Sequence, residues 1–395
     1  MEKISFSKLG QGKTEEEKAA IKRRWLEEKR QTTCKHIGHF SFDPQQVAGR
    51  NCENMIGATQ IPLGAAGPIT IKTLKQETKE YYVPLATTEG ALVASVSRGC
   101  KAISLSDGAL VKVKQLGTSR APVFKVRNLI EAEKLIHWTQ ENFEYLKEIT
   151  EETDTYLLLK KIQPFLSGRF VFLRFIYDTH EAMGMNMVTI ATKRAAEAIQ
   201  KSLGIELLSL SGNMCVDKKP CWLNFILGRG KRVWAEAVIK KEVVKNALKT
   251  TPEKIKSVVL GKNMVGSQLS GSLGFNAHFS NIIAALFIAT GQDPAHVVEG
   301  SLGTTSAEVE KNGDLYFSIY LPSLLLGTIG GGTGLATQQE ALKILGLGNG
   351  TKGEALELAR IVGGAVLAGE LSLVSALAAN HLAKAHEQLG RSQKK

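Results

Sequence analysis

The chain has 395 residues, which is too long for a single small core, so two or three structural units are expected. Hydrophobic residues make up 43% of the chain and charged residues 22%, as in an ordinary folded globular protein. The formal net charge of +12 predicts affinity for anions, either phosphorylated small molecules or an acidic membrane surface, and the low aromatic content of 6% argues against a platform for nucleic acid.

The N-terminal part of the chain predicts a small helical element. Charge begins at Glu2 without an apolar segment, so no secretion signal is expected. Residues 14–30 are dense in charged side chains with Trp25 and Leu26 among them, which predicts an exposed amphipathic helix. Glycines and prolines then crowd residues 53–68 and indicate a packed turn or a subunit contact. We assign residues 1–40 to this N-terminal element.

Residues 85–101 predict a helix with one apolar face, on which Leu92, Val96 and Cys100 keep helical spacing. Thr87 or Thr88 is expected to cap this helix and to place Glu89 in its first turn. Glu89 then either complements the helix dipole or takes part in chemistry.

Residues 122–209 predict a separate unit of the ferredoxin-like type. The pattern indicates strands at 123–126, 156–162, 170–177 and 205–210, and helices at 129–148 and 187–203. This β-α-β-β-α-β order is typical of a split βαβ fold. The predicted class is therefore α+β, with residues 122–209 inserted into a large domain formed by residues 41–121 and 210–395.

Two loops of this region carry polar or flexible residues. Residues 178–187 join a predicted strand to a helix, and the free N–H groups at the helix start favour a polar or anionic ligand near Gly184. No GxGxxG follows an early strand, so a Rossmann fold is not expected. Residues 211–219, Ser-Gly-Asn-Met-Cys-Val-Asp-Lys-Lys, place two cations beside a carboxylate, which is either a solvated turn or a site.

The C-terminal half contributes further polar candidates. Residues 229–232 predict a basic turn before a strand at 233–239. His278 is either a ligand contact or a structural hydrogen-bonding group, and Asp293, just past a predicted helix at 281–290, is ordinarily a turn residue. The glycine-rich residues 327–334 can line a ligand but lack the Lys-Ser/Thr of a P-loop.

The end of the chain predicts a packed apolar helix followed by a polar tail. Residues 361–379 are apolar but are interrupted by Glu370 and rich in small side chains, so a packed helix is expected instead of a membrane anchor. His386 lies near the tail and is either a mobile proton donor or part of a solvated helix end. The five cysteines form no CxxC pair or zinc-like spacing, so reduced thiols in the cytoplasm and no metal site are expected.

Together these blocks closely resemble the class I 3-hydroxy-3-methylglutaryl-coenzyme A reductase family of archaea and eukaryotes. Ala-Met-Gly-Met-Asn-Met at 182–187 and Asp-Lys-Lys at 217–219 are among the most specific matches. The matching segments are residues 53–57, 87–101, 182–187, 211–220, 262–267, 274–278, 291–293, 328–333 and 369–386. They follow the family's order from about residue 53 to the C-terminus.

The resemblance implies a four-electron reduction of the hydroxymethylglutaryl-CoA thioester to mevalonate and CoA by two nicotinamide hydrides. It also implies a large domain around a long central helix, with the ferredoxin-like insert carrying the cofactor. The implied catalytic set is Glu89, Lys218, Asp293 and His386. In these roles Lys218 stabilises the oxyanion, His386 protonates the departing CoA thiolate, and Glu89 protonates the final alkoxide. Asp293 keeps Lys218 charged and Glu89 partly protonated.

The resemblance also implies the binding residues. For the hydroxymethylglutaryl end they are Arg120, Ser211, Asp217, Lys219 and Lys262. For the CoA portion they are Ser95, Arg98, Lys101, Lys249, His278 and Asn281. For the cofactor they are Asp154, Thr155, Tyr156, Glu181, Met183, Gly184, Met185, Asn186, Gly331, Gly332 and Arg391.

The cofactor preference is where the chain departs from the family pattern. Where the family often has Ser-Arg-Phe against the ribose 2′-phosphate, the chain has Asp154-Thr-Tyr156, and a carboxylate suits a free ribose diol. Lys160, Lys161 or Arg391 can compensate for this charge, so NADPH is expected and NADH is the alternative. Glu181 also stands where the family usually has Asp. The resemblance further implies a homodimer or homotetramer whose subunits share active sites near residue 53. Neither a membrane anchor nor a nucleic-acid partner is expected.

Overall fold

The computed structural model of the chain describes residues 9–12, 15–35, 51 and 59–379. The N-terminal half of the described chain contains α1 Glu15–Arg30, β1 Leu63–Lys72, β2 Thr78–Ala86, α2 Leu92–Leu105, β3 Ala109–Arg120, β4 Val123–Lys125, α3 Leu129–Glu141, α4 Phe143–Glu151, β5 Leu158–Ser167, β6 Phe170–Asp178, α5 Met185–Leu203 and β7 Glu206–Ser209. The C-terminal half contains α6 Trp222–Ile226, β8 Arg229–Ile239, α7 Lys241–Ala247, α8 Pro252–Val258, a π-helix Val259–Gly266, α9 Ser267–Leu269, α10 Phe279–Thr290, α11 Val297–Gly300, β9 Thr304–Val309, β10 Leu315–Leu324, α12 Ala336–Ile344 and α13 Glu354–Ala378. Two 3-10 turns, Pro294–His296 and Gly331–Gly334, complete the described elements. The predicted sites at residues 53–57, His386 and Arg391 lie outside the described residues.

The described strands form one ten-stranded sheet whose central path runs β7-β4-β6-β3-β8-β10-β9. Strand β3 joins its two halves, because residues 110–117 pair with β8 while residues 118–120 pair with β6. Strand β1 lies parallel to the start of β3, and β2 is antiparallel to β1. The predicted α+β class is therefore confirmed, with a mainly antiparallel sheet.

Within this sheet, strands β4 to β7 have the spatial order β7-β4-β6-β5 and antiparallel neighbours, as a ferredoxin-like unit requires. The helix predicted at 129–148 is two helices, because Asn142 ends the first one and its Nδ2 donates to the carbonyl of Trp138. Strand β5 is longer than predicted and includes Pro164. Proline is tolerated there because β5 pairs on one side only.

The described residues form two large hydrophobic clusters and a third, small one. The larger one surrounds helix α13 and includes Val96, Val233, Phe287 and Leu367, each fully buried. The second lies between helices α3 to α5 and strands β4 to β6 and includes Phe124, Leu173 and Val188. The short N-terminal helix packs separately, where Leu26 and Cys34 join Tyr82 and Ile344. Helix α1 thus covers the edge of the large sheet, as a small appended element.

Helix α13 is apolar because it is the core of the large unit. By length and composition alone, this helix could cross a membrane, since its most apolar segment has a mean hydropathy of 1.8. However, 83% of that segment is buried inside the protein. The buried Glu370 accepts hydrogen bonds from Asn263 Nδ2, Thr305 Oγ1 and the backbone N–H groups of Ala277 and His278. Four donors around one carboxylate explain how an acidic group is accommodated in this core.

Two predictions about local structure are wrong. Helix α2 begins at Leu92, after Ala91 in the left-handed region at φ 73°, so neither Thr87 nor Thr88 caps it and Glu89 precedes the helix. Thr87 Oγ1 instead accepts from the N–H of Glu89 and stabilises the turn. Residues 229–232 are not a basic turn, because they form the first part of strand β8 and pair with β10 and β3.

Helices α2 and α13 approach most closely at Gly99. A Cβ added at Gly99 would overlap the backbone carbonyl of Ala368. Backbone atoms within a helix cannot move aside as the end of a flexible side chain can. We therefore expect Gly99→Ala to lower the free energy of unfolding by about 1–3 kcal/mol through overpacking. Urea unfolding followed by circular dichroism measures this change.

Gly261→Ala is the matched control for Gly99→Ala, since a Cβ at that helical position meets open space. We expect the control to be neutral or slightly stabilising, by at most about 1 kcal/mol, because alanine restricts the unfolded chain more than glycine does. Equal losses of stability in the two variants would refute the close approach of the two helices.

Candidate active site

The loop of residues 211–219 is held in an unusual backbone conformation. Asn213, Val216 and Lys218 all lie in the left-handed region, at φ values of 63°, 54° and 54°. Such residues cost free energy and persist only where the surroundings impose them. Asn224 imposes part of this shape, because its buried Nδ2 donates to the carbonyls of Val216 and Lys219, at 2.8 Å each. The loop is therefore built by the fold and is not a free solvated turn.

Lys218 and Asp293 form the ion pair at the centre of the site. Lys218 Nζ lies 2.8 Å from Asp293 Oδ2, and the two side chains are 38% and 32% exposed. The hydrogen bond that Lys218 donates to Asp293 raises the pKa of Lys218, although partial burial opposes the shift. Burial would raise the pKa of Asp293, but Lys218, the N–H of Ala295 and His296 together lower it. Both groups are therefore charged at neutral pH, with the ammonium open to an approaching ligand.

A buried charge cluster lies behind this pair. The fully buried Arg229 donates from Nη1 to Asp217 Oδ1 at 2.8 Å and to Glu299 Oε1 at 3.1 Å. Its Nε donates to Ser119 Oγ at 3.2 Å, and its Nη2 contacts the Sδ of Met185 at 2.6 Å. Glu299 Oε1 also accepts from the backbone N–H of Lys218 at 3.2 Å. The cluster thus connects strand β8, helix α11 and the loop that presents Lys218.

Asp217 is turned towards this cluster. Burial would raise its pKa, but the Arg229 guanidinium and His296 lower it overall, so Asp217 is a carboxylate. Among the described residues, Asp217, His296 and Glu299 place three donor atoms within 4.8 Å of one another, a spacing that suits a cation. Arg229 already bridges the two carboxylates with its positive charge. We therefore assign this cluster no metal.

Glu89 lies in the turn before helix α2, where Asn281 contacts it. Asn281 Nδ2 donates to Glu89 Oε2 at 2.9 Å. Asn281 belongs to the first turn of helix α10, whose start is fixed by Glu370 through the N–H groups of Ala277 and His278. His278 Nε2 lies 2.8 Å from the carbonyl of Gly369. The core carboxylate Glu370 therefore determines the position of the residues that face Glu89.

Several predicted binding residues are engaged within the protein. Ser95 Oγ lies 2.9 Å from Ser372 Oγ, and Arg98 donates to the hydroxyl and carbonyl of Ser372 at 3.0 and 2.7 Å. Arg120 donates to Thr189 Oγ1. Ser95 and Arg98 are therefore tied to the central helix, and Arg120 to helix α5.

Other predicted binding residues are more accessible. Lys101, Lys219 and Lys249 are exposed, and Lys219 Nζ donates to the carbonyl of Asp217 at 3.3 Å. Ser211 Oγ is 3.5 Å from the Sγ of Cys215. Lys262 lies on the π-helix Val259–Gly266 and lines a cleft of about 570 Å³. The cleft is lined by Pro220, Lys262, Gly266, Ser267, Ser270, Ser272, Leu273, Gly274, Asn276, Ser280, Val298, Ser301 and Leu302. A polar cleft of this kind, bordered by Pro220, opens beside the 211–219 loop.

The two loops predicted to bind the cofactor, residues 178–187 and 327–334, contact each other. Ala182 forms a parallel bridge with Ile329, and the N–H of Thr328 donates to the carbonyl of Glu181 at 2.8 Å. Gly291 and Gly332 are in backbone contact, because a Cβ on Gly291 would overlap the carbonyl of Gly332. Gly332 therefore lies beside the turn that carries Asp293.

The remaining cofactor candidates differ in exposure. Gly184 is left-handed at φ 85° and precedes helix α5, whose start has no side-chain cap. Met185 is buried, Asn186 and Gly331 are exposed, and Met183 accepts through its carbonyl from Thr118 Oγ1. Thr155 and Tyr156 are exposed, and Asp154 Oδ1 accepts from the N–H of Tyr156 at 2.9 Å. The Glu181 carboxylate accepts from the N–H groups of Gly353 and Ala355, so it caps helix α13.

Sequence reasoning missed Arg229, His296, Glu299 and Glu370 as parts of the site. His296 and Glu299 are three residues apart, a spacing that places side chains on one helical face, and this was the available signal. Arg229 gave no such signal, because an arginine between two glycines has the composition of a turn.

Three comparisons with known proteins agree with this picture. The family model described as hydroxymethylglutaryl-coenzyme A reductase matches residues 18–391. A protein named 3-hydroxy-3-methylglutaryl-coenzyme A reductase from Methanothermobacter thermautotrophicus is 50% identical over 377 residues, covering 95% of this chain and 94% of that protein. A protein of the same name from Pyrococcus abyssi is 51% identical over 376 residues, covering 94% of this chain and 92% of that protein.

Solved structures show the same fold. The structure of the class II 3-hydroxy-3-methylglutaryl-CoA reductase from Streptococcus pneumoniae, bound to NADPH in open conformations, has a TM-score of 0.74. It is 20% identical in sequence and covers 95% of this chain and 100% of its own. At 20% identity, this similarity is evidence for the fold only.

Proposed function

The chain belongs to the hydroxymethylglutaryl-coenzyme A reductase family, and on that basis we propose which of its residues carry the reaction. The enzyme reduces 3-hydroxy-3-methylglutaryl-CoA to mevalonate and CoA with two nicotinamide cofactors, in the mevalonate route to isoprenoids. The observation that carries the assignment of roles is the Lys218–Asp293 ion pair, 2.8 Å long, on a loop whose backbone is imposed by the fold.

Lys218 acts as the oxyanion stabiliser in this proposal. A thioester carbonyl that accepts a hydride develops negative charge on oxygen, and the partly exposed ammonium is the cation available to it. One such donor contributes about 3–4 kcal/mol to the transition state in a water-excluded site. Asp293 supports this role because its hydrogen bond raises the pKa of Lys218 and keeps the amine protonated. Glu89, held by Asn281, is the proposed proton source for the alkoxide of the second reduction.

The CoA thiolate also needs an acid when the hemithioacetal collapses, and His386 is proposed for that step. The carboxylate end of the substrate is assigned to Arg120, Ser211, Asp217, Lys219 and Lys262. The CoA portion is assigned to Ser95, Arg98, Lys101, Lys249, His278 and Asn281. Each set contains three lysines or arginines, which matches a carboxylate at one end and phosphates at the other.

The nicotinamide site is proposed between the 181–186 loop and the 327–334 loop. The residues fit such a group, because helix α5 starts without a side-chain cap and a Cβ at Gly330, Gly331 or Gly334 would meet open space. Free helix N–H groups bind phosphate, and residues without side chains let a flat ring approach the backbone. A nicotinamide bound there supplies a hydride in each reduction. Glu181, which caps helix α13, and the buried Met185 give this loop its shape.

NADPH is the proposed preferred cofactor, with NADH as the alternative. Asp154 stands on the exposed turn before strand β5, where its carboxylate would repel a 2′-phosphate. We expect Asp154→Asn to raise kcat/KM for NADPH by roughly two- to tenfold, up to about 1.4 kcal/mol, and to lower the value for NADH, because the carboxylate that suits the free ribose diol is lost. Initial rates of absorbance loss at the nicotinamide band, with hydroxymethylglutaryl-CoA and each cofactor, measure this difference.

Glu144→Gln is the control, since it also removes one exposed negative charge from the same unit. Glu144→Gln should leave kcat/KM unchanged for both cofactors. A wild-type protein that oxidises neither cofactor would refute the function itself, and equal gains with both cofactors would refute the role of Asp154.

The domain division follows the two hydrophobic clusters. We propose residues 122–209 as the inserted cofactor unit, residues 41–121 with 210–395 as the large unit, and residues 1–40 as the N-terminal element. In support, every buried member of the second cluster except Leu325 lies between residues 124 and 205. We further propose a cytoplasmic enzyme of class I. About 50% identity to the archaeal relatives, against 20% to the class II structure, supports that class.

A homodimer or homotetramer with shared active sites is proposed for the assembly. Large apolar side chains are exposed beside the substrate cleft, among them Leu260 at 59% and Leu269 at 85%. Large apolar side chains exposed to this degree are consistent with a contact site.

A further inference from the structure

His296 is fully buried and faces carboxylates through both ring nitrogens. Its Nδ1 lies 2.8 Å from Glu299 Oε1 and 3.8 Å from Asp217 Oδ1, and its Nε2 lies 3.7 Å from Asp293 Oδ2. Nε2 has no hydrogen-bond partner although it is buried. Buried polar atoms are normally paired, so an unpaired ring nitrogen that faces the Asp293 carboxylate needs a reason.

Three carboxylates lie around the imidazole of His296. Its Nδ1 faces Glu299 and Asp217, and its Nε2 faces Asp293. The cations Arg229 and Lys218 pair with the same carboxylates. An N–H on either ring nitrogen is therefore directed at a carboxylate.

Glu299 links His296 to the loop of Lys218. The same Oε1 that lies against His296 Nδ1 accepts from the backbone N–H of Lys218 at 3.2 Å and from Arg229 Nη1. One carboxylate therefore orients the imidazole and the backbone of the catalytic lysine together.

We propose that His296, oriented by Glu299, is a positioning residue that directs its Nε2–H at Asp293 and so holds the carboxylate in place for Lys218. The chain Glu299, His296, Asp293, Lys218 is an ordered support for the oxyanion-stabilising ammonium. This role rests on the proposed function of Lys218, and it adds residues that do not touch the substrate. Small displacements of a reacting group reduce the rate steeply, which is why such a support matters.

Two variants separate positioning from simple structural support. In His296→Asn the amide occupies the place of Nδ1 and retains the contact with Glu299, whereas in His296→Gln the amide reaches the place of Nε2. We expect His296→Asn to lower kcat by roughly 10- to 100-fold with the KM for hydroxymethylglutaryl-CoA unchanged within about twofold. His296→Gln should recover about tenfold of that loss. The exposed His137, mutated to Asn and to Gln, is the matched control and should leave kcat unchanged.

A second readout does not depend on turnover. Acetic anhydride labels neutral amines, so the hydrogen bond to Asp293 protects Lys218 relative to its exposed neighbour Lys219, which is labelled in the same experiment. Mass spectrometry should show the Lys218 to Lys219 labelling ratio rising roughly threefold in His296→Asn, the change for about half a pKa unit, and returning towards wild type in His296→Gln.

The two measurements distinguish failure of this inference from failure of the proposed function. Wild-type protein without reductase activity would refute the function, while the labelling ratio would still report on His296. If His296→Asn keeps wild-type kcat and labelling, or if the Asn and Gln variants lose activity equally, the positioning role is refuted.

Discussion

Replacing Lys218 with methionine is expected to lower kcat by roughly 10²- to 10³-fold while leaving the fold intact, because one oxyanion donor is worth about 3–4 kcal/mol. Methionine keeps an unbranched side chain only one atom shorter and is no more strained than lysine at φ 54°. The Lys218 ion pair is itself 38% and 32% exposed, so its loss should cost little stability. Steady-state rates with hydroxymethylglutaryl-CoA, together with thermal unfolding, measure both effects.

Lys219→Met serves as the contrast in the same loop. Lys219 does not contact Asp293 among the described hydrogen bonds and is proposed to bind the substrate carboxylate, so its loss should raise KM more than it lowers kcat. If Lys218→Met keeps more than about a tenth of the wild-type kcat, Lys218 is not the main oxyanion donor.

Asp293→Asn tests the electrostatic half of this claim. Because the hydrogen bond that Lys218 donates to the Asp293 carboxylate is the largest cause of the raised pKa of Lys218, replacing this carboxylate with a neutral amide should lower that pKa. The ammonium is lost as pH rises through its pKa, so the alkaline limb of the pH–kcat profile should move to lower pH in Asp293→Asn. An unmoved alkaline limb would assign that limb to another group.

Replacing Arg229 with methionine is expected to lower the free energy of unfolding by about 3–5 kcal/mol, the cost of leaving buried carboxylates without their counter-charge. Arg229 is fully buried, and its Nη1 is shared between Asp217 and the equally buried Glu299. Without it, the backbone of the 211–219 loop loses its fixed neighbours, so kcat should also fall. Urea unfolding and initial rates on the same samples measure the two effects.

Arg127→Met is the control for Arg229→Met. Arg127 pairs with Glu131 at 2.9 Å, but its side chain is 85% exposed, so its loss should cost less than about 1 kcal/mol. Similar losses in the two variants would contradict the structural role assigned to the buried guanidinium.

The family was predicted correctly from sequence because local composition is distinctive in several short segments. The Asp-Lys-Lys loop, the Ala-Met-Gly-Met-Asn-Met turn and the glycine-rich loop each show an unusual arrangement of residues over a short span, and the resemblance to one family joined them. The β-α-β-β-α-β order was predicted from alternating periodicities, and the fold class is confirmed. Short-range pattern was sufficient for these features because their identity depends on neighbouring residues.

The buried charge cluster depends on residues that are distant in the sequence. Arg229, Asp217 and Glu299 span more than 80 positions, and their meeting is decided by the pairing of strand β8 with β3 and by the turn after helix α10. The start of helix α2 was misplaced for a related reason. Thr87 has the chemistry of a cap, but the left-handed backbone at Ala91 delays the helix to Leu92, and nothing in the local composition indicates it.

The stoichiometry of the reaction tests the central claim most directly. Wild-type protein is supplied with limiting hydroxymethylglutaryl-CoA and excess NADPH, and both the loss of nicotinamide absorbance and the release of CoA thiol are followed to completion. A four-electron reductase oxidises about two cofactors for each thiol released, since each hydride carries two electrons. A ratio near one, or thiol release without oxidation of the cofactor, would contradict the account.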